Sequence, residues 1–266
     1  MERKERLHYL LNTLLSEKPE YASIRLPEGV DEQALLLRSL MNVREPNDIN
    51  PEFLRLQDEE LSFQREGKGI VKADDFGGSP ADPRLCLWQG DITRLEVDCI
   101  VNAANSQMLG CFIPLHGCID NAIHSAAGIQ VRLECYAQMQ KFGREAHTAE
   151  VISARGYNLP ARRILHVTGP IVTNADGPTD RQRKELQACY ANCLVEAENE
   201  KLESIAFCCI STGVFRFPNA EAATIAVDTV RAYFQQHLQS GIRKVVFNVF
   251  KDEDLHIYRR LLGYGL

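Results

Sequence analysis

The chain has 266 residues, 45% of them hydrophobic and 25% charged, enough for one large or two modest domains with real cores. A net charge of −6 argues against a broad basic face for duplex nucleic acid, while leaving room for a phosphorylated ligand held by loop amides and helix N-termini. Of the nine cysteines, Cys189, Cys193, Cys208 and Cys209 fall in apolar periodic segments, which fits a reduced, cytoplasmic protein better than a disulfide framework.

Leu7, Leu10, Leu11, Leu14 and Leu15 recur at helical spacing, as do Leu35, Leu36, Leu40 and Met41, and then Phe53, Leu54 and Leu61. Pro19, Pro27 and Pro46 separate these amphipathic helices. His8 and Asn12 interrupt the first apolar run and no small-residue cleavage site follows, so no signal peptide is expected, and no stretch reaches the roughly 20 apolar residues of a bilayer span. The Gly-, Pro- and Asp-rich segment 67–83 marks a boundary, giving an N-terminal helical region over 1–70 and a second domain over 71–266. From residue 84, strands are expected at Leu85–Trp88, Cys99–Val101, Val151–Ser153, Ile164–Val167, Ile205–Ile210 and Val245–Val249. Helices are expected near 120–127, 129–141, 181–200, 219–239 and 252–262, with Asp180 and Asn219 as N-caps and Ala226, Val230, Phe234 and Leu238 as one buried stripe. Such alternation implies a three-layer α/β/α fold around a mixed, mostly parallel sheet, whose ligands bind beyond the carboxyl ends of the strands.

The chemistry concentrates in residues 90–121. Cys111, His116 and Cys118 lie on a short loop with Gly110, Pro114 and Gly117, and two thiolates with an imidazole suit tetrahedral zinc. Three ligands with an open position is the catalytic pattern; a fourth ligand such as His124 or a distant cysteine makes the site structural, and a loop without metal is the plainest alternative. Asp91, in the turn Gly90-Asp91-Ile92-Thr93, either caps that turn or accepts from an exocyclic amine of a ligand. Asn102 and Asn105 bracket two alanines at a strand end, where amides can meet ribose hydroxyls, though asparagines also close turns. Asp120 opens a helix and either complements its dipole or positions a water; His124 is expected to support packing rather than act as a base. The loop Ser211-Thr212-Gly213-Val214-Phe215-Arg216-Phe217 follows an apolar strand, so its amides can cradle phosphate, with Phe215 and Phe217 covering a ribose or base.

Taken in order, Gly90–Thr93, Val101–Asn105, Ile119–His124, Gly156–Ala161, His166–Pro170 and Ser211–Phe217 resemble the macrodomain, an ADP-ribose-binding α/β module, over about residues 84–266. The cysteine–histidine loop stands where most of that family has a run of glycines, and is similar to the zinc-containing macrodomains of some bacteria and fungi, which also carry N-terminal helices. The resemblance implies Zn2+ on Cys111, His116 and Cys118, and adenine recognition by Asp91 with the Ile92 amide nearby. It implies Asn105 on the distal ribose, Asp120 orienting ribose or attacking water, and the diphosphate on Ser211, Thr212, Gly213, Val214 and Phe215, making Asn105 and Asp120 the catalytic pair. The implied activity is hydrolysis of mono-ADP-ribose from acidic side chains of a protein. The implied partner is a lipoyl carrier similar to glycine-cleavage H protein, modified by a sirtuin-type ADP-ribosyltransferase. A non-catalytic ADP-ribose reader and an O-acetyl-ADP-ribose deacetylase are the alternatives.

Overall fold

A computed structural model describes residues 1–264. Three helices come first: α1 (Arg3–Leu15), α2 (Val30–Val43) and α3 (Pro51–Lys68). Their apolar stripes meet in a cluster of their own, containing Leu7, Leu10, Leu11, Leu14, Leu37, Leu40, Phe53 and Leu56, joined from the rest of the chain by Ile129. Leu35 departs from the expected stripe: it is 53% exposed, because its helical angle points it away from α1 and toward a cleft described below.

Beyond them run β1 (Val71–Lys72), β2 (Leu85–Gln89), β3 (Leu95–Glu96), β4 (Cys99–Ala104), α4 (Ile119–Ala127), α5 (Ile129–Phe142), β5 (Val151–Arg155), β6 (Arg163–Thr168), α6 (Asp180–Asn199), β7 (Ser204–Phe207), α7 (Asn219–Gln236), β8 (Lys244–Val249) and α8 (Asp252–Leu262). The main sheet has the order β2-β8-β7-β4-β6-β5, parallel throughout except for antiparallel β5 at one edge, and β1 and β3 form a separate short pair. Strand alternation sends Asn102 of β4 toward α4, while α6 and α8 pack on the opposite face through Tyr190 on Phe207 and Tyr258 on Phe247. The expected mixed three-layer α/β/α architecture is present. Among the described residues no helix is long and apolar enough to cross a membrane.

Several local expectations shift. Thr179, not Asp180, caps α6, in a reciprocal pair with Gln182, and Pro218 precedes α7, so Asn219 is its first helical residue and donates instead to Asp254 Oδ1 (2.6 Å). α7 ends at Gln236, which leaves Leu238 82% exposed and shortens the buried stripe to Ala226, Val230 and Phe234. β7 stops at Phe207 instead of Ile210, because the chain turns sharply and Ser211 takes a left-handed φ of 65°. All nine cysteines are free thiols.

The N-terminal helices join the α/β part chiefly through polar contacts, centred on buried Arg132 of α5. Its guanidinium donates from Nε to Leu109 O (2.6 Å) and from Nη1 to Met41 O (3.1 Å) and Arg44 O (2.6 Å), and stacks 4.1 Å over Phe112. Arg132→Met strands these carbonyls without a donor. We expect it to cost at least about 2 kcal/mol, read as a fall in the urea midpoint; an unchanged midpoint contradicts the role assigned to this residue.

Candidate functional site

Because β2, β4, β7 and β8 are parallel, their carboxyl ends share one edge, and the loops leaving them wall a single cleft of about 1290 Å3. That is at or above the roughly 300–1,000 Å3 of a small-molecule pocket. Asp91, Asn105, Asp120, Cys111, His116, Cys118 and the 211–215 loop all line it, so the structure gathers one set of residues that lie up to 124 positions apart in sequence.

Asp91 performs two jobs. Its Oδ1 accepts from Thr93 N (3.0 Å) and Thr93 Oγ1 (2.6 Å), capping the turn, while Oδ2 lies 3.3 Å from Lys68 Nζ at the end of α3. Burial opposes its charge, but the Thr93 bonds and the Lys68 ammonium outweigh that and hold the carboxyl below its ordinary range. Ile92 is buried, so only its backbone is available to a ligand.

β4 runs three residues further than expected, and this changes the role of Asn102. It sits inside the strand with no exposure, paired in register with His166 of β6, and does not line the cleft. Its Nδ2 donates to Asp120 Oδ1 (2.7 Å) and approaches His166 Nδ1 (3.0 Å), so it holds the carboxylate from beneath instead of meeting ribose itself. Asp120, in the first turn of α4, is 5% exposed at the cleft wall, and burial raises its carboxyl to about 6 against the pull of the Asn102 bond and Arg132. Asn105 does reach the cleft, while also bracing its own loop: Nδ2 donates to Gly110 O (3.0 Å) and Oδ1 accepts from Gln107 N (3.1 Å).

Cys111, His116 and Cys118 place their ligand atoms within 4.8 Å of one another, with Cys111 Sγ 3.6 Å from His116 Nδ1. Cys118 also caps α4, its Sγ accepting from Asn121 N (3.4 Å), an environment that favours thiolate. Burial nonetheless pushes its thiol up to about 11, and a bound cation is what overcomes that penalty in such a donor set. Two thiols and one imidazole, half-buried and convergent, fit a soft or borderline divalent cation. Among the described residues no fourth ligand joins the cluster: His124 packs edge-on against His166 (5.3 Å between rings) and serves as a support. Gly110 is required there, since it has a φ of 82° and a Cβ on it would lie 2.7 Å from the His124 ring.

The 211–217 loop divides as the chemistry needs. Gly213 and Val214 are exposed, and among the described residues the N–H groups of Gly213, Val214 and Phe215 donate to no protein acceptor, an arrangement suited to an anion. Phe217 is 1% exposed and belongs to the core, so only Phe215 of the two aromatics reaches the cleft. Sequence reading missed Asn248 and Phe250 at the end of β8, and Ala34, Leu35, Arg38 and Lys68 from the N-terminal helices, all of which line the same cleft. The β8 pair had a signal, its place just beyond an expected strand; the helical group had none.

Fold and site together define an α/β protein with a large cleft at the carboxyl edge of its sheet and, set into the wall, a Cys–His–Cys cluster able to hold a cation. The Macro domain family matches residues 101–226. A protein-ADP-ribose hydrolase of Treponema medium is 45% identical, the alignment covering 99% of this chain and 100% of the relative. The Oceanobacillus iheyensis macrodomain with ADP is 38% identical, with a TM-score of 0.59 over 68% of this chain and 90% of that one. The Trypanosoma brucei macrodomain in complex with ADP-ribose is 29% identical, with a TM-score of 0.66 over 82% and 92%. The chain belongs to the macrodomain family.

His166, fully buried, is pushed down to about 3, and burial likewise takes His124 well below the ordinary range. Both are neutral in the fold, whereas in the unfolded chain they titrate near about 6.5. Below that pH the unfolded chain takes up protons that the folded one refuses, so stability falls with falling pH. Asp120, raised to about 6, has the opposite sign between about 4 and 6 and offsets one histidine. Metal-free protein is therefore expected to lose stability from pH 7 to 5, with His166→Gln reducing the slope by up to about 1.4 kcal/mol per pH unit. Denaturant midpoints at half-unit steps check this; equal slopes in the two proteins contradict it.

Proposed function

We propose that this protein is a protein-ADP-ribose hydrolase that removes mono-ADP-ribose from acidic side chains, with Zn2+ held by Cys111, His116 and Cys118. The observation that carries the reading is that one cleft wall holds Asp91, Asn105, Asp120, the free amides of residues 213–215 and the Cys–His–Cys cluster together. The Treponema medium relative, similar over its full length, bears the name of that activity, and the Trypanosoma brucei macrodomain holds ADP-ribose.

In this reading Asp91 Oδ2 accepts from the adenine amine, and the Ile92 backbone lies beside it. Ser211, Thr212, Gly213, Val214 and Phe215 surround the diphosphate, held by loop amides instead of by cations, which agrees with the acidic chain. Asn105 meets the distal ribose. Asp120, fixed by the Asn102 amide at 2.7 Å, orients a water toward the ester joining ribose to the substrate's carboxyl. When bound, zinc supplies a Lewis acid that polarises an oxygen or lowers the pKa of a coordinated water toward about 7. The size of the cleft suits a substrate that remains part of a protein.

Residues 1–70 then serve as a helical wall and 71–266 as the macrodomain proper. A cytoplasmic location agrees with the nine free thiols. A lipoyl carrier similar to glycine-cleavage H protein, modified by a sirtuin-type transferase, is the partner we assign to it.

The test is release of ADP-ribose from a carrier protein esterified on Asp or Glu. Asp120→Asn is expected to lower the rate at least about 100-fold while ADP-ribose binding by calorimetry changes only a few-fold. Asp91→Ala should instead weaken binding by about 1.5–3 kcal/mol, the worth of a hydrogen bond to a charged group. Tight binding by the wild type with no turnover of the ester identifies a reader module and overturns the hydrolase reading. A second measurement addresses the cation: the Cys111→Ala, Cys118→Ala protein should contain no zinc and hydrolyse slowly. Full activity in that metal-free variant removes zinc from the chemistry.

A further inference from the structure

The loop carrying the cation ligands is supported from outside the α/β unit. At its tip Leu115 adopts a left-handed φ of 54°, and its N–H donates to Asn42 Oδ1 (3.0 Å). Asn42 lies on the last turn of α2, is 2% exposed, and donates from Nδ2 to Ser125 Oγ on α4 (2.9 Å). One turn earlier, Arg38 donates from Nη2 to Asn121 Oδ1 (2.8 Å) and from Nε to Ser125 Oγ (3.2 Å). Asn121 passes the constraint on, since its Nδ2 donates to Ile113 O (3.0 Å) and its own N–H reaches Cys118 Sγ (3.4 Å). Arg132 ties Leu109 and Phe112 to the carbonyls that end α2. The span between Cys111 and Cys118 is thus pinned at Ile113 and Leu115, and both pins lead back to α2.

We propose that α2 is the outer support of this loop, and that Asn42 and Arg38 are positioning residues that set its affinity for a thiolate-binding divalent cation. The inference rests on reading Cys111, His116 and Cys118 as a cation site. Three ligands on a segment of eight residues converge only if the residues between them hold one backbone conformation. Leu115 immediately precedes His116, so the Asn42 bond acts one peptide away from the imidazole ligand and holds a backbone conformation that leucine seldom takes. Without that acceptor, a half-buried N–H loses its partner and the tip is free to leave the left-handed region, swinging His116 away from the two sulfurs. Loss of such outer support typically lowers metal affinity about 10–100-fold.

The experiment uses full-length protein stripped of metal and titrated with Co2+, read by the thiolate-to-cobalt charge-transfer absorption and checked by competition with a chelator. Asn42→Ala is expected to weaken cobalt about 10–100-fold, with circular dichroism of the metal-free protein unchanged. Asn42→Asp keeps an acceptor for the Leu115 N–H and should bind closer to wild type than to Asn42→Ala, a rescue that general damage to the helix does not predict. If Asn42→Ala does not fold, Arg38→Ala takes its place, with a loss of affinity in the same direction expected. A folded variant that binds cobalt as tightly as wild type overturns the positioning role alone. Wild-type protein that takes up no cobalt overturns the cation site itself, and this inference with it.

Discussion

A single buried amide sets the height of this site. Asn102 stands in the middle of β4, among Cys99, Ile100, Val101 and Ala104, and opposite His166 in register on β6, with both residues fully buried. Two polar side chains facing each other inside apolar strands are costly unless hydrogen-bonded, and the Asn102 Nδ2 contact with His166 Nδ1 offsets part of that cost. The same nitrogen also reaches Asp120 Oδ1 and so fixes the first turn of α4 against the sheet. Neutral His166 is required for this pattern, because a protonated ring has no acceptor to offer. From that point the remainder follows in sequence: α4 begins at Ile119, Cys118 becomes its cap, and the Cys111–Cys118 loop must close within the residues between Ala104 and that cap.

The electrostatics of the cleft follow from placing free loop amides and a cluster of two thiols and an imidazole on one edge. The loop at residues 213–215 offers unpaired amides instead of positive side chains, in keeping with a net charge of −6. The carboxylates respond oppositely to burial. Asp91 keeps its charge because Thr93 and Lys68 compensate for lost solvent, whereas Asp120, with one amide and a more distant Arg132, is raised to about 6. Two carboxylates held in contrasting environments are suited to different tasks, one as a fixed acceptor and one as a group whose hydrogen bonding to water is tunable.

Elements defined by local periodicity were legible in the sequence. The alternating pattern located all six strands of the main sheet, and the leucine stripes located α1, α2 and α3. Errors arose where a tertiary constraint overrides a local preference. Asp180 and Asn219 are good caps by type, yet the chain enters one residue earlier, because Thr179 and Gln182 bond reciprocally and Pro218 already fixes its own φ. Asn102 read as a strand-end amide because nothing local tells a polar residue inside a buried strand from one just past it; only pairing with His166 and Asp120 decides. The convergence of Cys111, His116 and Cys118 was legible because all three lie on one short segment. Lys68, Arg38 and Asn42 were illegible as site residues because their partners are 23, 83 and 73 positions away.

That last group bears on why the N-terminal helices are joined as they are. They bury an apolar cluster largely among themselves, joined from the α/β part by Ile129. Their contacts with the α/β part are instead dominated by directed hydrogen bonds: Gln57 Oε1 to Ile129 N (2.9 Å), Arg65 Nη1 to Asn158 O (2.8 Å), Arg38 to Asn121, and Asn42 to Leu115. An apolar interface can slide by a fraction of an ångström at little cost, whereas bonds of this kind weaken steeply with distance and angle. A polar interface therefore contributes alignment more than adhesion, and the elements it aligns here are the start of α5, the tip of the 111–118 loop and the Asp91 turn, through Lys68. Two separate parts of the cleft wall, the Asp91 turn and the 111–118 loop, are thus referenced to the same helical unit. The cleft is best understood as lying between that unit and the sheet, with the helices forming part of its wall.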